Sequence, residues 1–326
     1  GFVERKYVSC AEDMKDGANN TVKSGDLCWR TDNATLVLGD RSSELVLDSA
    51  TKKWRFEEDD GSKIERFTGM TNGDNDGEYW RLTTPDGTRY YFGRGKRYAA
   101  DTINTQSTLT VPVAGNHTGE PGHATAFKDS FLTQAWRWNV DYVVDVHGNS
   151  MTYLYGRETN RYRQSDAKKS VAYHRAGYLK QIEYGERKGS EATTDAPAQV
   201  TFTTAERCIP TSDFDCAASK MVANPSKWPD TPVDQVCTNT TQCKLTQGGP
   251  TFFTTKRLTR VYTEILNAAD GSYPDVDSWK LTQSFPRTGD GLSPALWLDT
   301  ITHTGAVGTS VAMPPVTITG DELPNR

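Results

Sequence analysis

Three acidic side chains spaced two residues apart form a candidate cation-binding loop. Asp74, Asp76 and Glu78 lie in the stretch NGDNDGE at residues 72–78, where two glycines permit a tight turn. Closely spaced oxygen ligands on such a turn are typical of calcium loops, which also place a bidentate Glu six residues after the glycine. That glutamate is missing from this stretch. The spacing therefore leaves two interpretations open, a calcium site and an acidic hairpin loop that binds no ion.

Local motifs for enzymatic chemistry are missing from the sequence. Glycoside hydrolases need two carboxylates that flank the scissile bond, but the four acids at residues 57–60 precede Gly61, as the acids of a solvated turn would. There is no Gly-x-Ser-x-Gly, His-Glu-x-x-His, P-loop or dinucleotide-binding motif. We therefore predict no catalytic residue and no enzymatic activity. A hydrolase whose acids converge from distant hairpins stays open, because spacing along the chain cannot reveal one.

One tryptophan lies outside the strand-like patterns that hold most of the 8 Trp, 14 Tyr and 11 Phe residues. Burial on one face of a strand explains aromatic residues at alternating positions. Trp228 lies instead in a polar, cysteine-containing insertion at residues 208–250. Because exposed aromatic rings stack on sugar faces, Trp228 is the candidate ligand-binding residue if the chain binds a glycan.

Six cysteines fall into three close pairs. The pairs are Cys10 with Cys28, Cys208 with Cys216, and Cys237 with Cys243. Six cysteines allow 15 pairings, among which sequence cannot choose, and we favour nearest-neighbour disulfides. A zinc site would need thiolates at tighter spacing, often with histidines nearby, and the five histidines are not grouped near these pairs. Disulfides imply export to an oxidising compartment.

The elements that must position these side chains are β-strands. At residues 136–155, apolar and polar side chains alternate, and the period of two predicts a half-buried strand. The apolar positions are Trp136, Trp138, Val140, Tyr142 and Val144, and the polar ones are Arg137, Asn139, Asp141 and Asp145. A turn at residues 147–149 and a second alternating run predict a hairpin. Similar phrases recur near Gly61 and Gly87, so we predict an all-β fold with little helix.

Length and charge exclude several classes of protein. The chain has 326 residues, enough to bury its own core. Its net charge is −5 with scattered basic residues, whereas nucleic-acid binding asks for a basic stripe. No apolar run approaches the roughly 18 residues that a membrane-spanning helix needs. The first residues lack the layout of a signal peptide, so we expect a processed chain or a piece of a longer protein.

Composition suggests three regions. Residues 1–100 are predicted to form an N-terminal β lobe. Residues 101–124 are rich in Thr, Asn, Gly and Pro without a sustained period, which predicts a linker or long loop. Residues 125–326 are predicted to form a hairpin-rich sheet that carries the cystine-rich insertion at residues 208–250.

Two phrases in this order resemble the Rhs/YD-repeat proteins. The first is an aromatic strand followed by Asp-x-x-Gly-Asn and Tyr-x-Tyr, and the second is Tyr-Leu-x-x-Ile-x-Tyr-Gly. The matching residues are Asp145, Gly148, Asn149, Tyr153 and Tyr155, then Tyr178, Leu179, Ile182, Tyr184 and Gly185. The stretch at residues 279–317 also resembles large secreted Rhs-type proteins of Gram-positive bacteria. The match runs from about residue 50 to the end of the chain.

The resemblance implies an extended, curved antiparallel sheet of successive β-hairpins that encloses or displays a toxin or effector domain encoded elsewhere. This chain would be an N-terminal shell segment without a cofactor, secreted or at the cell surface. Its partner would be the remainder of the same polypeptide or its cleaved fragments. A β-propeller or β-sandwich is the alternative architecture. The alternative functions are a carbohydrate-binding or adhesion module that contacts a cell-surface glycan, and a glycoside hydrolase.

Overall fold

The fold is almost entirely β. The computed structural model describes residues 1–98, 100–165, 169–287, 289 and 291–320. Within these residues 19 strands join into one large, mostly antiparallel sheet that does not close. The same residues contain no α-helix, and their helical content is five single-turn 3₁₀ helices at residues 127–129, 218–220, 225–227, 233–235 and 245–247. The prediction of an antiparallel all-β fold with little helix is confirmed.

The strands follow one another along the chain with short turns and a few long loops. They are β1 (Phe2–Glu4), β2 (Val8–Ser9), β3 (Leu27–Cys28), β4 (Ala34–Leu38), β5 (Arg41–Leu47), β6 (Trp54–Phe56), β7 (Lys63–Phe67), β8 (Tyr79–Thr83), β9 (Arg89–Phe92), β10 (Thr108–Ala114), β11 (Phe131–Val144), β12 (Asn149–Gln164), β13 (Lys169–Arg187), β14 (Ala198–Glu206), β15 (Lys256–Ile265), β16 (Asp275–Ser284), β17 (Trp297–Gly305), β18 (Val311–Ala312) and β19 (Val316–Thr317).

Strand β11 connects the two halves of the sheet. Its first part pairs with β10 and with β1, where Val3 lies opposite Trp138. Its last part pairs with β9 and with β12, where Val143 lies opposite both Tyr90 and Met151. The predicted hairpin therefore forms. In its turn, Asp145 Oδ1 accepts hydrogen bonds from the main-chain amides of residues 147 and 149, and Gly148 adopts a φ of +82° that favours glycine.

The N-terminal lobe has two layers. Side chains of β1 and β4–β6 pack against side chains of β7–β9, with β11 contributing to the same core. At its centre the ring of Trp80 lies 5.0 Å from that of Trp54 and 6.2 Å from that of Trp138, both in edge-on geometry. Edge-on aromatic pairs add about 0.5–1.5 kcal/mol each beyond the burial of their surface. Strand β11 also contributes to this core, and the boundary of the lobe at residue 100 stays a prediction.

Residues 101–124 differ from the predicted linker. They contain β10, in which all seven residues are buried. Val111 and Val113 of β10 pack against Tyr162 and Tyr173, which lie at the far end of the β12–β13 hairpin. The run of Thr, Val and Pro carries no alternation because both faces of β10 are covered, and a strand buried on both faces loses its period of two.

Asp141 also departs from the predicted pattern. The sequence places it on the solvent face of β11, yet the residue is 0% exposed. Its Oδ2 accepts hydrogen bonds from the Gly95 amide at 2.7 Å, from Thr105 Oγ1 at 2.9 Å and from Ser107 Oγ at 2.7 Å. Burial raises the pKa of Asp141 to about 6 against the opposing effect of these bonds. The loop before β10 therefore covers the face that the sequence assigns to water.

The C-terminal part is a single-layer meander. Strands β14, β15, β16 and β17 pair in chain order, each antiparallel to the next. None of the residues of β14, β15 and β17 is fully buried, and in β16 only Ser278 is. The meander thus lacks a second layer of its own among the described residues.

Candidate functional site

The acidic loop at residues 72–78 is held by hydrogen bonds within the protein. Asp74 Oδ1 accepts from the Ala135 amide at 2.6 Å, and its Oδ2 accepts from the Glu78 amide at 3.1 Å. The buried Asn72 side chain donates to the carbonyls of Glu78 and Gly93. Burial, together with a hydrogen bond to the Asp76 side chain, raises the pKa of Asp74 to about 7. The loop is thereby pinned against β11.

Glu78 pairs with the guanidinium of Arg5. Its two carboxylate oxygens accept from the two terminal nitrogens of Arg5, at 3.0 and 3.1 Å, and Oε1 also accepts from Trp80 Nε1 at 2.9 Å. The Arg5 guanidinium lies 5.1 Å from the ring centres of both Trp29 and Trp138. Bidentate, charge-assisted bonds of this kind are strong. Glu78 is 5% exposed and fully engaged in this network.

The predicted calcium site is therefore not supported. Asp74 and Glu78 use their oxygens for main-chain amides and for Arg5, while Asp76 is exposed at the tip of the loop. These three carboxylates do not gather their ligand atoms within 4.8 Å of one another in the described part of the chain. The alternative interpretation, a structural hairpin loop, fits the contacts.

Trp228 does not present a surface to a ligand. Its side chain is 0% exposed and lies in a small core of the insertion together with Met221, Val233 and the Cys208–Cys216 disulfide. Its ring packs edge-on against Phe214 at 6.1 Å. A fully buried ring cannot stack on a sugar, so the predicted ligand-binding role is corrected to that of a core residue. The insertion has few regular elements, and Trp228 fills the core that its loops need.

The six cysteines form three disulfides with nearest-neighbour pairing. The structure joins Cys10 to Cys28, Cys208 to Cys216 and Cys237 to Cys243. The first disulfide packs on Ala114 at the end of β10. The other two lie in the insertion, whose Cys237 amide donates to the buried Asn160 of β12 at 3.0 Å. The disulfides thus hold long loops onto the strands.

A set of acids converges on an arginine. Arg97 donates to Asp101 Oδ2 at 2.8 Å and to Glu186 Oε1 at 3.1 Å, and all three residues are 6% exposed or less. Burial raises the pKa of Glu186 to about 6, which Arg97 opposes. A hydrolase built from distant hairpins would need its carboxylates in an open cleft. These acids form instead a buried ion-pair network that substrate does not reach.

A second convergence escaped the sequence analysis. Asp13, His117 and Glu120 bring their ligand atoms within 4.8 Å of one another, and all three are half-buried. Asp13 Oδ2 lies 3.1 Å from His117 Nε2, across 104 positions of sequence. No local spacing could indicate this group, because Asp13 belongs to the loop after Cys10 and the other two belong to the turn after β10.

The meander carries one apolar face. Neighbouring strands align Phe202 with Val261, Val261 with Trp279, and Trp279 with His303. The rings of Trp279 and His303 stack at 5.0 Å with an interplanar angle of 12°. The residue after Trp279 in β16, Lys280, is exposed on the opposite face of the sheet. The side chains of this apolar ladder are only half-buried, which makes the ladder a candidate interaction surface.

None of the helices in the described residues is long or apolar enough to cross a bilayer.

Comparison with known proteins gives one family and several distant structures. The family model described as "SpvB: Salmonella virulence plasmid 65kDa B protein" matches residues 40–207. No curated protein sequence matches the chain. Similar solved structures include TcdB2-TccC3-Cdc42, with 14% identity and a TM-score of 0.48, covering 98% of this chain and 14% of that one.

Two further structures show the same level of similarity. The Tc holotoxin pore of Photorhabdus luminescens has 14% identity and a TM-score of 0.47, and the match covers 98% of this chain and 14% of that one. The N-terminal domain of effector protein SpvB from Salmonella typhimurium strain LT2 has 14% identity and a TM-score of 0.44, covering 93% and 86%. This chain therefore spans about one-seventh of the Tc toxin chains that it resembles.

The finer identification as a YD-repeat protein of Gram-positive bacteria stays a prediction. Because the match covers more than half of the sequence, the chain belongs to the SpvB family.

Proposed function

We propose that this chain is a structural wall segment of an exported, toxin-carrying protein of the Rhs/YD-repeat type, which encloses an effector domain encoded elsewhere in the polypeptide. The remainder of that polypeptide, or fragments cleaved from it, is the partner of this segment. Membership of a family named after a virulence protein supports the toxin context.

The open meander is the observation that carries the proposal. Its strands pair in chain order, yet its apolar ladder from Phe202 to His303 stays half-exposed. Burial of apolar surface stabilises by about 25 cal/mol per Å². A sheet that leaves such a face uncovered forgoes that stabilisation, as a wall facing an enclosed space or a further segment would do.

The repeat-like residues have a structural part in this wall. Tyr155 Oη donates to the Val140 carbonyl at 2.7 Å, so its side chain reaches back from β12 to β11. Tyr153 packs against the core of the N-terminal lobe. Such cross-strand contacts stabilise sheets, and the Asp145 turn joins the two strands. These roles are those expected of a repeat whose purpose is to build wall.

Export and the absence of catalysis belong to the same proposal. Three disulfides fit an oxidising compartment, either the extracellular space or the cell surface. The converging acids at Arg97 are neutralised and buried. Both features suit a structural segment, and we propose that this segment is not an enzyme.

The test is protease protection in the complete polypeptide that carries this chain. We expect the effector domain to be digested by proteinase K at least about tenfold more slowly inside the intact protein than as an isolated domain. Casein added to both samples controls for protease activity. Equal digestion rates would contradict enclosure, and so would a complete polypeptide that contains no further domain.

A further inference from the structure

We propose that Asp13, His117 and Glu120 bind a divalent transition-metal ion, with Zn²⁺ as the best-fitting ion. The three side chains offer one imidazole nitrogen and two carboxylates within 4.8 Å of one another. Imidazole nitrogen combined with carboxylate oxygen is a ligand set that zinc accepts, whereas calcium prefers oxygen alone. This site does not depend on the proposed function of the chain as a wall segment.

The geometry is close to that of a bound ion. In a tetrahedral zinc site with bonds of about 2.1 Å, two ligand atoms lie about 3.4 Å apart. The 3.1 Å separation between Asp13 Oδ2 and His117 Nε2 is near this value. Glu120 needs only a side-chain adjustment, because its ligand atom already lies within 4.8 Å of the other two. Three protein ligands would leave the fourth position for water.

The ligands are oriented by groups outside the set. The Asn116 side chain, which is 0% exposed, donates to the Asp13 carbonyl at 2.8 Å and to Asp13 Oδ2 at 3.2 Å. Asn116 is itself fixed, because its Oδ1 accepts from the Asn20 amide at 3.0 Å. Outer partners of this kind set the orientation of metal ligands and contribute to affinity.

In each of the two carboxylates, only one oxygen has a hydrogen-bond partner in the part of the chain that the structure describes. Glu120 Oε2 accepts from the His117 amide at 3.0 Å, and Asp13 Oδ2 accepts from Asn116 and faces His117. Among the described residues, Asp13 Oδ1 and Glu120 Oε1 have no hydrogen-bond partner, and neither carboxylate forms an ion pair with lysine or arginine. Neither carboxylate is therefore taken up by a lysine or an arginine that the structure describes, and an ion would bind Asp13 through Oδ2 in place of the Asp13–His117 hydrogen bond.

The site is accessible to an ion. Asp13 and His117 line a cavity of about 370 Å³, which Glu12 and Asp16 also line. Lys15 and Arg30 lie on the same cavity, where the three acids outnumber these two bases. The bound ion would clip the turn at residues 117–120 to the loop that follows Cys10, and so would complement the Cys10–Cys28 disulfide in fixing the N-terminal lobe.

The test is a ZnCl₂ titration of chelator-treated protein by calorimetry. We expect one site per chain in the wild type and at least about tenfold weaker binding in both His117→Ala and Glu120→Gln. His147→Ala is the matched imidazole control, because His147 is exposed on the β11–β12 turn. Glu12→Gln is the matched acid control, because Glu12 lines the cavity outside the ligand set.

The titration can either support or overturn the zinc site. Weaker binding in the two ligand variants with unchanged binding in both controls supports the site. Absence of binding by the wild type at millimolar Zn²⁺, or unchanged affinity in the two ligand variants, overturns it. If His117→Ala does not fold, Glu120→Gln decides together with thermal melting. Zn²⁺ should then raise the melting temperature of the wild type and not that of Glu120→Gln.

Discussion

Two tryptophans in similar strands have opposite surroundings, and they summarise the difference between the N-terminal lobe and the C-terminal meander. Trp80 of β8 is 0% exposed and packs between two other tryptophans. Trp279 of β16 is only half-buried and stacks on His303. Both lie on the apolar face of an antiparallel strand. The lobe closes that face with a second layer, and the meander does not.

An alternating pattern therefore specifies a strand, but it does not specify which layer covers the apolar face of that strand. In the lobe, strands β4–β6 are brought over β7–β9 by their pairing through β1 and β11. The meander runs in chain order and adds each strand only at the edge of the last. Sequential addition pairs each strand with the next but leaves the apolar side chains without a covering layer among the described residues.

The largest expected effect compares the two tryptophans directly. Trp80→Ala should lower the free energy of unfolding by about 3–5 kcal/mol, because it opens a cavity in a closed core. Trp279→Ala should cost less than half as much, because its ring is already partly hydrated. Chemical denaturation followed by circular dichroism measures both. Equal losses would mean that the meander face is covered in solution, for example by a second copy of the chain.

A second effect concerns pH and belongs to the lobe. Burial raises the pKa of Asp74 from 3.8 to about 7, so between these values the folded state binds more protons than the unfolded state. The contribution of Asp74 to stability is therefore present at acid pH and is lost as pH rises toward 7. The slope is at most about 1.4 kcal/mol per pH unit for one proton.

Asp74→Asn removes this titration and serves as the reference. The difference in unfolding free energy between the wild type and Asp74→Asn should fall between pH 4 and pH 7, as measured by urea denaturation at each pH. The difference isolates Asp74 from the other buried acids, such as Asp141 and Glu186, whose pKa values burial also raises. A pH-independent difference would show that Asp74 is ionised throughout.

The smallest expected effect tests the polar face of the meander. Lys280 of β16 is exposed, and Lys280→Thr should change stability by no more than about 0.5 kcal/mol. Thr282→Val, on the same exposed face, is the matched second substitution. A loss above about 1 kcal/mol in either variant would show that this face, too, has a partner, and would weaken the contrast with the apolar ladder.

Sequence reasoning succeeded where contacts are local. The hairpin at residues 136–155 follows from its alternation and its turn, since strand period and turn geometry are decided within a few residues. It failed for β10, whose surroundings on both faces come from distant hairpins. It also failed for Trp228, because an insertion without regular strands still needs a core. In both cases, a segment without a regular pattern of apolar residues was expected to be exposed to solvent, and it is buried instead.

The candidate sites divide in the same way. The residues of the acidic loop are near in sequence, but their chemistry depends on Arg5 and on the Ala135 amide, which lie 73 and 61 positions away. The sequence does not indicate that Asp13 and His117 form a pair, because they are 104 positions apart and meet only in the folded chain. Spacing along the chain can indicate a loop of possible metal ligands, but it cannot indicate which distant group will form hydrogen bonds with them.

The antiparallel hairpins of this protein can be predicted from its amino-acid sequence, because alternation and glycine turns act over short distances. The covered faces, the acids that meet an arginine and the acids that meet a histidine emerge only when the strands assemble. Burial and ion pairing depend on contacts between residues far apart in the chain, and the pairing of whole strands sets those contacts.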